Sequence, residues 1–316
     1  MGVPAIMRDA VLQDLFLQMQ KDDKIFFLSA DLGGPKLDQI REKFPDRFIN
    51  VGIAEQNLIN VAAGLALEGY KVFAYAIATF LTMRCYEQIR VHLSILAQLR
   101  SLNVTMIGLG IGMSYDVAGP SHHCFEDLSI MRTLPGIKIC SPADSLCAQS
   151  FVTWALNYPG VKYLRLDGKP HSLVYSVDEN IPAGFDFEKG FCELKRGHKS
   201  VIVSTGVLTH RALNSATAVA TARDDIGVID IYSFDPDFDA LFETIDTYAH
   251  VITLEEGFIG VGGVDSMIAN LLCDHQSMKK FTRLGIKKEF LFDCGGREYL
   301  HKKSGINEDE IRYHFD

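Results

Sequence analysis

Short runs rich in β-branched and aromatic residues recur along this chain, each followed by a longer stretch whose apolar residues return at helical spacing. In the first half these runs cover residues 24–30, 71–78, 104–108, 137–140 and 161–166. A strand that is apolar on both faces must be covered on both, and a helix between strands returns the chain to the same edge. The pattern therefore predicts a parallel sheet wrapped by helices. After Leu166 the pattern lapses, and residues 167–190 carry Gly168, Pro170, Pro182 and Gly184 without a helical period, the mark of a crossing segment. Alternation then resumes, with strands near 200–204, 227–232 and 251–254 and helices near 207–223 and 264–273. The expected class is α/β, with two domains, each a mostly parallel sheet flanked by helices. The first domain is placed over 1–175, a linker over 176–192 and the second domain over 193–316. A chain of 316 residues is long enough for both cores.

Charge and hydropathy remove several classes of function. Acidic side chains outnumber basic ones, 40 against 31, and a net charge of -9 opposes a phosphate backbone, so no nucleic-acid role is expected. The longest apolar stretches are broken by Glu68, Lys71 and Arg84, short of the roughly 18 to 20 residues a membrane span needs. No signal peptide is read at residues 1–8, and the cytoplasm is the expected compartment. The cysteines, at 85, 124, 140, 147, 192, 273 and 294, form no CxxC pair and read as reduced, mostly buried thiols.

Residues 48–69, FINVGIAEQNLINVAAGLALEG, read as a strand, a turn and a helix whose apolar positions are Leu58, Val61, Ala62, Leu65 and Ala66. Glu55 falls in the first helical turn, where a carboxylate complements the helix dipole and caps free N–H groups. Its position after an apolar strand also sets it at the carboxyl edge of a parallel sheet, where open α/β sheets bind ligands. Other signals are discounted. Gly108, Gly110 and Gly112 lack the spacing of a dinucleotide fingerprint. Gly257, Gly260, Gly262 and Gly263 suggest a turn, and Lys279, Lys280, Lys287 and Lys288 a solvated face.

The segment GIAEQN, together with LSADLGG (28–34), ATFLTMRCYEQIR (78–90) and AGPSHHCFEDLSIMRTLPG (118–136) in the same order, resembles the transketolase family of thiamin diphosphate enzymes. LEEGFIGVGG (254–263) is similar to that family's C-terminal domain, so the resemblance spans nearly the whole chain. It implies a pyrimidine-binding thiamin diphosphate domain followed by a transketolase C-terminal domain. The diphosphate-binding domain, with the GDG segment that holds magnesium, has no counterpart in these residues. The resemblance thus implies one subunit of a split transketolase, inert alone, with Mg2+ ligands supplied by an N-terminal diphosphate-binding partner. Two copies of each chain, a heterotetramer containing a dimer of this one, are the expected assembly. The implied reaction transfers a two-carbon ketol unit from a ketose or its phosphate to an aldehyde.

The same resemblance assigns roles. Glu55 is the carboxylate that activates the cofactor through its aminopyrimidine. Asp31, Ile53, Phe80, Met83 and Tyr86 fall among the cofactor-binding positions, with 80, 83 and 86 expected on one helix face. His122 corresponds to a substrate-facing histidine that bonds a carbonyl or hydroxyl and moves protons, and His123 is secondary to it. Arg165 aligns with an anion-binding arginine, although a surface salt bridge accounts for it equally. Arg8 and Lys36 are weaker anion candidates, and no metal ligand is assigned to this chain.

Three positions depart from the family pattern. Met83 stands where many relatives have an aromatic, Ala118 where many have an aspartate that bonds a substrate hydroxyl, and Gly110 near the place of a phosphate-binding histidine. Asp116 replaces the missing aspartate only if the loop takes a different path. Two alternatives stay open: a 2-oxo acid decarboxylating ligase, resembling deoxyxylulose phosphate synthase, an acyloin-forming enzyme or a dehydrogenase β-subunit, and a non-catalytic regulatory partner.

Overall fold

The computed structural model describes residues 5–175, 185–218 and 225–315. Pro182 and Gly184 of the expected linker, and the end of the helix expected to reach 223, lie outside them. The chain divides into two compact units that do not follow chain order. One runs to Ile111 and takes in Ile130–Cys140 and the segment from Asp144 to Phe185, while the other holds Gly112–Ser129, Ser141–Ala143 and the chain from Asp186 on. The loop 112–129, expected within the first domain, belongs to the second unit because its Met113 and Phe125 side chains lie in that unit's core.

The first unit contains strands β1 (Ala5–Ile6), β2 (Ile25–Ser29), β3 (Phe48–Asn50), β4 (Lys71–Ile77), β5 (Asn103–Leu109), β6 (Ile137–Cys140), β7 (Gly160–Leu166) and β8 (Pro170–His171). Six of them form a sheet in the order β3-β2-β4-β5-β7-β6, and every neighbouring pair is parallel. The remaining two, β1 and β8, make a short antiparallel pair. As the two-faced apolar runs require, β4, β5 and β7 are buried along most of their length. A lysine nevertheless sits inside. Lys162 on β7 is fully buried, and its Nζ donates to Asn103 Oδ1 (2.6 Å), Ala155 O (3.0 Å) and Tyr158 O (2.7 Å), three acceptors for the three N–H bonds of an ammonium.

The second unit contains β9 (Phe191–Lys195), β10 (Ser200–Ser204), β11 (Ile226–Ile231), β12 (His250–Phe258) and β13 (Lys280–Ile286), in the order β13-β12-β10-β11-β9. All pairs are parallel except the edge pair β11 and β9. Strand β13 starts at Lys280, which is exposed as expected, and only its last three residues are buried, so its apolar signal is short. Strand β9 begins at Phe191, within the span expected to be linker.

Candidate active site

In the first unit, β2, β3 and β4 end at Ser29, Asn50 and Ile77, and the residues just beyond them gather at the carboxyl edge of the sheet. Asp31 adopts a left-handed backbone (φ 56), uncommon for a residue with a side chain. Asn50 holds it there. Its Oδ1 accepts the N–H groups of Asp31 (3.1 Å) and Gly52 (2.9 Å), and its Nδ2 donates to Asp31 Oδ1 (3.1 Å). Gly52, at φ 73, completes the turn that glycine allows and leads into the helix Glu55–Leu67.

Glu55 is buried, and it does not cap its own helix: no side-chain cap bond forms at that terminus. Its Oε2 instead accepts from Arg84 Nη1 at 2.7 Å, and Oε1 bonds no other described residue. Arg84, half exposed, lays its guanidinium 4.5 Å from the Phe80 ring centroid, and its carbonyl accepts Gln56 Nε2 (3.2 Å). The segment Phe80–Arg84 is a π-helix, followed by one α-helical turn (Tyr86–Gln88) and a second π-helix, Ile89–Ile95. The wider π turn changes the angle between successive side chains, so positions 80, 83 and 86 do not follow the α spacing on which a shared face was expected. Met83 reaches solvent, Phe80 and Tyr86 are half-buried, and the Tyr86 hydroxyl meets Thr133 Oγ1 at 2.5 Å. Beside Tyr86 lies a mostly apolar cavity of about 410 Å³, bounded by Ile95, Leu134 and Pro135 among others. Ile53, in the turn before Glu55, is 78% exposed. The Cys85 thiol next to Arg84 is pushed up to about 12 by burial and then by the Glu55 charge, which leaves it an unreactive thiol.

The anion candidates of this unit are scattered. Arg8 donates from Nε to Asp9 Oδ1 (2.8 Å) and lies beside Gly34, after the Asp31 turn. Lys36 is engaged with Gln13 Oε1 (2.5 Å). Arg165 is buried on β7, in register with Gly108 of β5, so a surface salt bridge does not describe it.

The histidine pair belongs to the second unit. Gly112 and Cys124 exchange backbone bonds (3.0 and 2.9 Å) and so close the root of a loop. His122 is half-buried near its tip, with Nδ1 3.0 Å from Ser121 Oγ and its ring meeting Tyr115 edge-on at 5.8 Å. His123 points into the wall. It is 2% exposed, packs on Phe125 (5.5 Å), and neither ring nitrogen finds a hydrogen-bond partner among the described residues. Burial lowers its pKa, so the ring stays neutral. Asp116 does not take the place of the aspartate missing at Ala118. It is buried, and its Oδ2 accepts the Arg297 N–H at 3.0 Å.

The Glu55 edge suits an aromatic base such as the aminopyrimidine of thiamin diphosphate. The buried carboxylate has one oxygen uncommitted among the described residues, and Ile53, two residues before it, and Met83, next to its partner Arg84 in sequence, present apolar surface to solvent. Among the described residues no group of three His, Cys, Asp or Glu is arranged to hold a metal ion.

Residues 4–168 match the family model for the transketolase pyrimidine binding domain and residues 192–311 that for the transketolase C-terminal domain. The chain is 33% identical to one of the subunits of the apulose-4-phosphate transketolase of Actinobacillus succinogenes, over 87% of this chain and 86% of that one. It is 30% identical to a 6-deoxy-6-sulfo-D-fructose transketolase subunit of a Clostridium species, over 96% and 92%. Among solved structures, a split-gene transketolase described as an inactive β4 tetramer superposes with a TM-score of 0.83 at 30% identity, covering 98% of this chain and 97% of that one. The transketolase of Leishmania mexicana shares the fold at 17% identity (TM-score 0.78), and this chain spans 45% of it.

Proposed function

The chain belongs to the transketolase family, and from that premise we propose that it is the pyrimidine-binding subunit of a split, thiamin diphosphate-dependent transketolase. It acts with an N-terminal subunit that supplies the diphosphate and Mg2+ sites. The observation that carries this reading is the Glu55 edge: a buried carboxylate with one oxygen uncommitted among the described residues, with Ile53 two residues before it and Met83 next to its partner Arg84 in sequence, both exposed to solvent. Exposed apolar side chains beside a buried acid suit a surface that a ligand and a partner chain cover.

When bound, the cofactor supplies a nucleophilic carbon that accepts and releases a two-carbon ketol unit. Glu55 Oε1 bonds the pyrimidine N1′ and holds or yields its proton, while Arg84 keeps the carboxylate turned away from its own helix terminus. Asp31 and Ile53 line the approach, and Phe80, Met83 and Tyr86 pack against the ring. Met83 gives a softer contact than an aromatic would. His122 donates to or accepts from a donor hydroxyl or carbonyl. His123, buried and neutral, shapes the wall behind it, and Arg8 and Arg165 contribute positive charge toward an anionic substrate. The names of the two relatives support a reading in which the substrate is a ketose phosphate or a sulfonated ketose. The related β4 assembly described as inactive supports a chain that needs its partner and associates with itself, as a dimer within a heterotetramer.

A decarboxylating reaction on a 2-oxo acid is the second reading. It is favoured by the commitment of Asp116 to Arg297, which leaves Ala118 without a substitute carboxylate for a substrate hydroxyl.

Calorimetry of thiamin diphosphate and Mg2+ binding, to the chain alone and mixed with the polypeptide encoded beside it, tests the proposal. Tight binding and ketose turnover in the mixture only are expected. Absence of binding in both, or turnover of a 2-oxo acid without ketol transfer, would overturn it.

A further inference from the structure

The second unit buries a carboxylate that the proposed chemistry does not use. Glu256, at the end of β12, accepts from Arg297 Nε (2.7 Å, Oε1) and Nη2 (2.5 Å, Oε2), and from His301 at Oε1. Burial alone would push its carboxyl up, but Arg297 and His301 outweigh it and hold the group well below the usual carboxylate range. Arg297 and His301 stand four residues apart on the helix Arg297–Lys303, so both reach the same acid.

What this network holds is the root of the histidine loop. Glu256 Oε2 also accepts the N–H of Met113 (3.1 Å), and the Arg297 N–H donates to Asp116 Oδ2 (3.0 Å). Gly112 sits against the same carboxylate at φ 54, and a Cβ there would run into Glu256 Oε2. The Glu256 carboxylate of this ion pair therefore fixes the loop at residues 112 and 113, the Arg297 main-chain N–H fixes it at 116, and the exchanged backbone bonds between Gly112 and Cys124 carry that constraint to the segment that follows His122. A fork of two parallel N–H bonds fixes orientation as well as distance, which a single lysine contact does not.

We propose that Arg297, Glu256 and Asp116 are positioning residues for His122, and that holding this loop is a contribution of the C-terminal unit to ketol transfer. The inference rests on the reading of His122 as the substrate-facing histidine.

Two arms test it in the full chain. The first needs no activity: hydrogen exchange of the isolated protein, unaltered and as Asp116→Ala and Arg297→Met. Exchange across 112–124 should rise at least about tenfold in both, and in the Asp116→Ala protein β10 and β11 should be unchanged. Equal exchange across 112–124 in the Asp116→Ala protein, which leaves the buried pair intact, would overturn the proposal. The second arm uses the two-subunit enzyme. Arg297→Met should raise the donor KM or lower kcat by about ten- to a hundredfold while cofactor Kd stays within about twofold. Arg297→Lys should recover part of the loss. In a His122→Ala background Arg297→Met should cost nothing further. The same loss in both backgrounds would show that Arg297 does not act through His122 and would overturn the inference. If the unaltered pair transfers no ketol unit, the functional reading fails, and the exchange arm still decides whether the network holds the loop.

Discussion

Two buried glutamates, one in each unit, have opposite surroundings. Glu256 is saturated, with a bidentate arginine, a histidine and a backbone N–H closing both of its oxygens. Among the described residues Glu55 has one hydrogen-bonding partner, the half-exposed Arg84, and Ile53 and Met83, near the two in sequence, reach solvent. A carboxylate taken out of water must be compensated. In the second unit the protein supplies that compensation in full, and the acid serves structure. In the first the compensation among the described residues is partial, and on the proposed reading a ligand supplies the rest. Burial does not distinguish the two acids; the completeness of their pairing does.

The widest separation between the two acids is expected in activity. Glu55→Gln in the two-subunit enzyme should lower turnover by about 10²- to 10⁴-fold. Its unfolding free energy should change by about 1 kcal/mol or less, because the Arg84 left behind can turn to water. Full turnover in that variant would remove Glu55 from the chemistry. Glu256→Ala should show its largest effect in stability instead. It strands the Arg297 charge, whose side chain is only 12% exposed, and should cost about 3 to 5 kcal/mol in urea unfolding. A loss as small as that of an exposed pair would erase the distinction drawn above.

The units should also respond to opposite ends of the pH range. His250 on β12 is buried against Thr282, and burial, with Lys280, His314 and Lys199 adding, lowers it from 6.5 to about 4. The unfolded chain takes up a proton that the folded one refuses, so stability of the second unit should fall as pH drops from 6.5 toward 4, by at most about 1.4 kcal/mol per unit. Lys162 in the first unit is lowered from 10.5 to about 7 by burial, with Lys71 adding. There the unfolded chain keeps a proton that the folded one releases, so stability of the first unit should rise between pH 7 and 10.5. Region-resolved hydrogen exchange at acid, neutral and alkaline pH reads both, and His250→Gln and Lys162→Met should flatten the respective slopes.

Much of the fold was legible because strands buried on both faces are written as apolar runs: the expected 137–140 and 200–204 coincide with β6 and β10. Strand β13 was not legible, since only three of its residues are buried. The π turns at 80–84 and 89–95 were hidden for a different reason: helical periodicity presumes the α spacing and gives no sign of a wider turn. Of the site, Glu55 stood out from its strand, turn and helix setting, and the histidine pair from its Gly-Pro loop. Their partners did not. Arg84 lies 29 residues from Glu55 and Arg297 lies 41 from Glu256, and no spacing rule joins residues that only the tertiary fold brings together. The membership of loop 112–129 in the second unit was lost the same way, because Met113 and Phe125 read as apolar residues of no particular core.

The smallest effect bears on how the second unit presents His122. Ser121 is exposed, and its hydroxyl lies 3.0 Å from His122 Nδ1, a polar hold on that ring at the loop tip. Water can replace an exposed hydroxyl, so the net value of such a bond is about 0.5 to 1.5 kcal/mol. Ser121→Ala should therefore lower kcat/KM for the donor by about two- to tenfold, with cofactor affinity unchanged. That small number follows from where the loop is secured: if the ion pair at its root sets the path of the chain, the tip needs only a light adjustment of ring orientation. A loss of a hundredfold or more in Ser121→Ala would move the point of control from the root to the tip. The saturated Glu256 would then be a matter of stability alone.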